Sequence, residues 1–98
     1  MSSVAYLTDG RMILLAESFP SLLGRPGIAP WNADEVNRSA KQAWQTGGSI
    51  HAVRFVLSVW DPRHRWSAGA FSITQALQVW DTAHQHAFLA WARAPWWP

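Results

Sequence analysis

Cysteine is absent from the chain. Disulfides, thiolate metal ligands and thiol nucleophiles are therefore excluded together, and because small secreted domains usually depend on disulfides, a cytoplasmic protein is expected. Lysine is nearly absent too: of eight basic residues only Lys41 is not arginine. Charge of either sign is sparse, with six acidic residues and a net charge of +2. The pI near 9.9 hints at nucleic acid. The bases, however, are scattered from Arg11 to Arg93, whereas non-specific nucleic-acid binders concentrate theirs on one face. Long hydrophobic runs are also missing. The longest, Phe55-Val56-Leu57 with Val59-Trp60 beyond Ser58, falls far short of the ~20 residues that span a membrane. Met1 to Arg11 lacks the basic start and apolar block of a signal peptide. A soluble chain without a membrane role is expected.

What remains is apolar and aromatic. Hydrophobic residues make up 49% of the 98 positions and charged ones 14%, the reverse of a disordered composition. A chain of this length hides roughly 60–70% of its unfolded surface, enough for one core, so a single domain over residues 1–98 is expected. Eight tryptophans are more than so small a core absorbs, since each buries about 150–250 Å² when enclosed. Some of these rings are expected to line a groove or a partner surface. The abundance of Ala, Arg and Trp beside one lysine points to a GC-rich bacterial genome or its phage.

Periodicity predicts an all-α protein, a compact bundle of about four helices with two long loops. The first helix is expected from Asp9, as its cap, to about Phe19, with Met12, Leu15, Ala16 and Phe19 on one face. Pro20 ends it or opens a short turn through Leu22 and Leu23, and Gly24–Pro30 reads as a loop. Asn32 with Glu35 forms a capping box for the second helix, and Trp31 with Val36 a hydrophobic staple. Its narrow stripe is Ala33, Val36, Ala40, Ala43 and Trp44, and Gly47-Gly48 is expected to stop it.

The stretch Ser49–Asp61 carries strand formers at Ile50, Val53, Val56 and Val59. Its polar residues His51, Arg54, Ser58 and Asp61 nevertheless fall on one helical stripe, so helix is preferred, with an α+β fold using residues 50–60 as a strand the alternative. Pro62–Phe71 is the second loop. Ser72 and Gln75 cap a last long helix with a broad stripe of Ile73, Ala76, Leu77, Trp80, Ala83, His84, Ala87, Phe88 and Trp91. The other elements are expected to pack against it, with Trp80 as core keystone. Pro95 ends it, leaving Trp96-Trp97-Pro98 as a tail. The segment Leu57-Ser58-Val59-Trp60-Asp61 with His64 is echoed by Leu77-Gln78-Val79-Trp80-Asp81 with His84. Two units are too few for a repeat architecture, and the echo reads as coincidence.

Catalytic and cofactor signatures do not emerge. His84 and His86 stand about 200° apart on a helix and cannot share a metal, and without cysteine or a second ligand pair neither metal nor cofactor is expected. His84 is expected at the core edge, its ring bonded to Asp81 or to backbone. No nucleophile elbow or Gly-rich phosphate loop is present, and Asp34-Glu35 is accounted for by opening a helix. No set of catalytic roles is assembled along the chain, so a non-enzymatic protein is expected.

The polar cluster Arg63-His64-Arg65-Trp66 lies in a loop, where binding residues concentrate. Forked guanidiniums beside an aromatic ring suit acidic side chains of a protein partner or the bases and phosphates of nucleic acid. A solvated loop with Arg paired to Asp61 and Trp66 folded onto the core is the plainer reading. Trp96 and Trp97 form a second candidate surface, either clamped back onto the bundle or meeting a partner. Membrane insertion is disfavoured because the final helix carries one base and no cationic face. By elimination and aromatic surplus, the expected function is a protein-binding module, an accessory or inhibitor acting on a host protein. Its contacts are expected at Arg54, Arg63, His64, Arg65, Trp66, Trp96 and Trp97. The alternatives are a nucleic-acid-binding domain using Arg54, Arg63 and Arg65, or a surface around Arg38, Lys41, Gln42 and Gln45.

Overall fold

The computed structural model describes residues 3–43 and 47–98. All regular structure among them is helical: α1 (Ser3–Glu17), a 3-10 turn (Pro20–Leu22), α2 (Ala33–Arg38), α3 (Ala40–Ala43), α4 (Gly47–Trp60), α5 (Ile73–Val79) and α6 (Thr82–Ala92). Only Ser39 separates α2 from α3, and only Trp80-Asp81 separates α5 from α6. The described residues therefore form four helical limbs, and the all-α expectation holds. A radius of gyration of 12.5 Å is what a compact chain of this length adopts.

The centre is α4. Ile50, Ala52, Val53, Phe55, Val56, Leu57 and Val59 are all buried, and they cover all of the helix except one polar stripe. A helix with so wide an apolar surface belongs inside, and α1, α2, α3, α5 and the 3-10 turn all pack on it. This explains the strand-like composition: β-branched residues fill a buried helix here. The polar stripe holds its helical register while emerging gradually from the core. His51 is buried, Arg54 and Ser58 are half-buried, and Asp61 is exposed just past the end. Phe55 is the aromatic hub, with ring centroids 5.6 Å from Phe19, 5.1 Å from Phe71, 5.2 Å from Phe88 and 5.1 Å from Trp91.

Several boundaries differ from expectation. Asp9 does not cap α1, which begins at Ser3 and runs through it. The residues upstream of Gly10 include no Gly or Pro to stop a helix, and a favourable cap residue does not by itself start one. The expected face is correct, since Met12, Leu15, Ala16 and Phe19 are buried. Gly47-Gly48 does not end the second helix but forms the first turn of α4. That turn lies against Val79 and Trp80, and the Trp80 Nε1–H donates to the Gly48 carbonyl at 3.0 Å. Trp44 lies outside the described residues.

The last limb is broken rather than continuous. Trp80 is extended (ψ 136°), and the Asp81 side chain accepts the His84 N–H at 2.9 Å as a new N-cap. The nine-residue stripe was too broad for one face, and the break re-aims it. Leu77 and Ala83 fall outside the core, whereas Ala76, Trp80, His84 and Ala87 stay buried. This limb packs onto α4 rather than serving as the frame.

Candidate functional site

The loop after α4 folds into a defined cleft. Asp61 Oδ1 accepts the Arg63 N–H at 3.1 Å, the local side-chain turn that Asp favours. The Trp66 Nε1–H donates to the Asp61 carbonyl at 3.3 Å, and the Trp66 ring packs on His64 with centroids 4.2 Å apart. Further along, the Ala68 N–H donates to Asn37 Oδ1 at 2.9 Å, and Asn37 Nδ2 donates to Ser67 Oγ at 2.8 Å. From inside, Arg54 Nε–H donates to the Ala68 carbonyl at 2.7 Å. Gly69 is required beside it: φ is +102°, and a Cβ would stand 2.9 Å from Arg54 Nε. The loop is thus fastened to α2 and to α4.

Between loop and helix lies a cleft of about 600 Å³ lined by Arg54, Arg63, His64, Arg65, Trp66 and Phe71, with Asp61 at its edge. Arg63, His64 and Arg65 are exposed, and Arg54 and Trp66 half-buried. Asp61 is the only acid of the lining. Among the described residues, no carboxylate lies within 4 Å of the three guanidiniums. The sequence cluster and Arg54, seven residues before Asp61, therefore meet in one place. Ser58, Pro62, Gly69 and Ala70 complete the lining, and like Phe71 they carried no functional signal in the sequence. One turn before Arg54, buried His51 is held below the ordinary imidazole pKa, first by burial and then by the Arg54 charge.

Trp96 and Trp97 do not join this cleft. The tail folds back onto α1 and α6: the Arg11 guanidinium sits 4.0 Å over the Trp96 ring, the Trp91 Nε1–H donates to the Trp96 carbonyl at 3.1 Å, and Trp97 meets Trp91 edge-on at 5.3 Å. Trp96 lines a shallower groove of about 280 Å³ with Arg11, Leu14, Ala87, Ala90 and Trp91. On the alternative surface, Arg38 and Lys41 are exposed and border a depression with Asn37 and Ser67. The Gln42 side chain and all of Gln45 lie outside the described residues.

A third site lies at the other end of α4, of which the sequence pointed only to the His84–Asp81 pair. His84 Nδ1 is 2.8 Å from Asp81 Oδ1, and His84 Nε2 is 2.8 Å from Ser21 Oγ. The Asp81 bond was expected, and Ser21 was not. Both hydrogen bonds to His84 hold the Asp81 carboxyl below its ordinary pKa, the backbone one first. An ionised carboxylate only accepts, so Nδ1 carries a proton, and in the neutral ring the Nε2 lone pair faces Ser21. Phe19 and Trp80 flank the imidazole at 5.9 and 6.2 Å between centroids. The three side chains border a cavity of about 450 Å³ with Arg25, Gly48, Ser49 and Val79.

Compared with known proteins, the chain matches no protein-family model, no curated protein and no solved structure.

Proposed function

We propose that the protein is a binding module that takes an acidic segment of a partner protein into the cleft between the end of α4 and residues 61–71. The observation that carries this reading is the convergence of Arg54, Arg63 and Arg65 on one cleft whose lining offers Asp61 as its only acid. Guanidinium forks without a carboxylate of their own bind carboxylates in pairs of parallel hydrogen bonds. Trp66 and Phe71 add an aromatic wall for the apolar residues of such a segment. Arg54 is anchored on the Ala68 carbonyl, so part of the ordering cost is met before the partner arrives. Stacking on nucleic-acid bases is less well served, because the His64 ring already packs at a tilt against the Trp66 ring. An accessory or inhibitory role follows from occupying a surface of that partner.

The test uses a labelled peptide in which Asp and Glu alternate with Leu and Phe, its lysine counterpart, and single-stranded and double-stranded oligonucleotides. The acidic peptide binds, the lysine peptide does not, and Arg63→Ala and Arg65→Ala each weaken binding by about 1–3 kcal/mol with an unchanged melting temperature. Exposed arginines serve here in place of Trp66, whose half-buried ring also packs on the core. Oligonucleotide binding with a log K against log salt slope of about −0.7 to −0.9 per phosphate contact transfers the cleft to nucleic acid. Failure of the acidic peptide to bind at low salt overturns the proposal.

A further inference from the structure

Independently of the arginine cleft, we infer that Ser21, His84 and Asp81 form a nucleophilic site for the hydrolysis of small acyl esters. The order of contacts is the one that activates a serine: hydroxyl to Nε2, and Nδ1 to a carboxylate, each at 2.8 Å. The tautomer is fixed by the carboxylate, and the acceptor nitrogen is aimed at the hydroxyl, as a general base requires.

The surroundings hold this geometry. Ser21 sits in the 3-10 turn between Phe19 and Leu22, both fully buried, so its backbone is anchored on either side. Asp81 is held by capping α6, and His84 stands in the first turn of that helix between the Phe19 and Trp80 rings. Rigid neighbours of this kind keep a catalytic side chain in place. Ser21 is itself half-exposed and opens onto a cavity of about 450 Å³, within the range of small-molecule sites. Arg25 borders the same cavity, with its Nε–H spent on the Ser21 carbonyl at 3.2 Å and its terminal nitrogens without a partner among the described residues. Positive charge there meets an oxyanion forming at the carbonyl under attack. The N-terminal turn of α4 reaches the cavity at Gly48 and adds the positive end of a helix dipole.

The chemistry closes on water alone. Ser21 Oγ attacks the ester carbonyl carbon while His84 Nε2 takes the hydroxyl proton. The tetrahedral oxyanion collapses, the bond to the alkoxy oxygen breaks, and His84 returns the proton to the departing alcohol. A water molecule, deprotonated by His84, then attacks the acyl–Ser21 ester. The carboxylic acid leaves, and Ser21 recovers its proton. Asp81 touches no reacting atom. It is a positioning residue that orients the ring and stabilises the imidazolium formed in each half-reaction.

The experiment pairs covalent labelling with turnover on the full chain. Diisopropyl fluorophosphate should add one phosphoryl group at Ser21, located by peptide mass spectrometry, and p-nitrophenyl acetate should be hydrolysed faster than by Ser21→Ala. Asp81→Asn keeps an N-cap acceptor, so it should melt like the parent while losing about tenfold or more in labelling rate and kcat at constant KM. Unlabelled Ser21 in folded protein, turnover that survives Ser21→Ala, or labelling of Asp81→Asn at the parental rate overturns the inference. Binding of the acidic peptide is read separately, so failure at one site leaves the other standing.

Discussion

Trp80 shows how a residue can be judged correctly on an incomplete picture of its element. The sequence places it mid-stripe on a long helix and makes it the keystone of the core. The structure places it at the break between α5 and α6, extended and 4% exposed. There it meets Phe19 at 5.4 Å, Phe71 at 5.8 Å and Phe88 at 6.0 Å, and its indole N–H holds the first turn of α4 through Gly48. Its apolar periodicity survives because burial depends on where the ring points, and the broken backbone still turns it inward. Trp80→Ala removes the ring and that hydrogen bond together and should cost about 3–5 kcal/mol, read from chemical denaturation. A loss below about 1 kcal/mol would place the ring at the periphery. Trp80 also flanks His84, so the variant should disturb the Ser21 site as well.

Element boundaries were legible where their signal is local and conflicts with nothing around it. Asn32 and Ser72 each accept the N–H three residues on, from Glu35 and Gln75, which is the N-cap half of a capping box, while the Asn32 N–H is taken by the Gly27 carbonyl. Asp81 does the same for His84 but stands inside an unbroken apolar pattern, and the pattern hid the cap. The echoed segments share this feature. Trp60 ends α4 and Val79 ends α5, and Asp61 and Asp81 each turn a side-chain oxygen to a downstream N–H, of Arg63 and His84. The likeness marks two helix ends, not a repeat. The α2 start offers the clearest test at this scale. Gly27 is buried with φ +84°, its carbonyl accepts the Asn32 N–H at 2.7 Å, and a Cβ would stand 2.7 Å from both the Asn32 carbonyl oxygen and the Val36 nitrogen. Those atoms belong to the first turn of the helix and have nowhere to go. Gly27→Ala should cost about 2 kcal/mol or more in urea denaturation, and a neutral outcome would show that the loop and cap shift together without strain.

For the whole molecule, the sequence carried the helical class and the arginine cleft because both rest on short-range order. Arg63 to Trp66 share one loop, and helical register alone brings Arg54 beside it. The Ser21 site depends on a contact across 63 residues, and nothing in local composition announces it. The tail joins the two ends of the described chain in the same long-range way. Arg11 on α1 covers the Trp96 ring at 4.0 Å, while Trp91 of α6 holds the Trp96 carbonyl and packs on Trp97. Of the two alternatives for the tail, the contacts of Trp96 are those of clamping back, while Trp97 stays 53% exposed. Arg11 is exposed and Trp96 half-buried, so the cation–π contact should contribute about 0.5–1 kcal/mol, the value typical near a surface. A double-mutant cycle isolates it: Arg11→Ala and Trp96→Ala, singly and together, each measured by urea denaturation. Trp96→Ala alone should cost more than Arg11→Ala, because it also exposes the groove walls at Leu15, Ala87 and Trp91. A coupling energy of zero, with both single variants as stable as the parent, would mean that the tail rests on the bundle without holding α1 to α6.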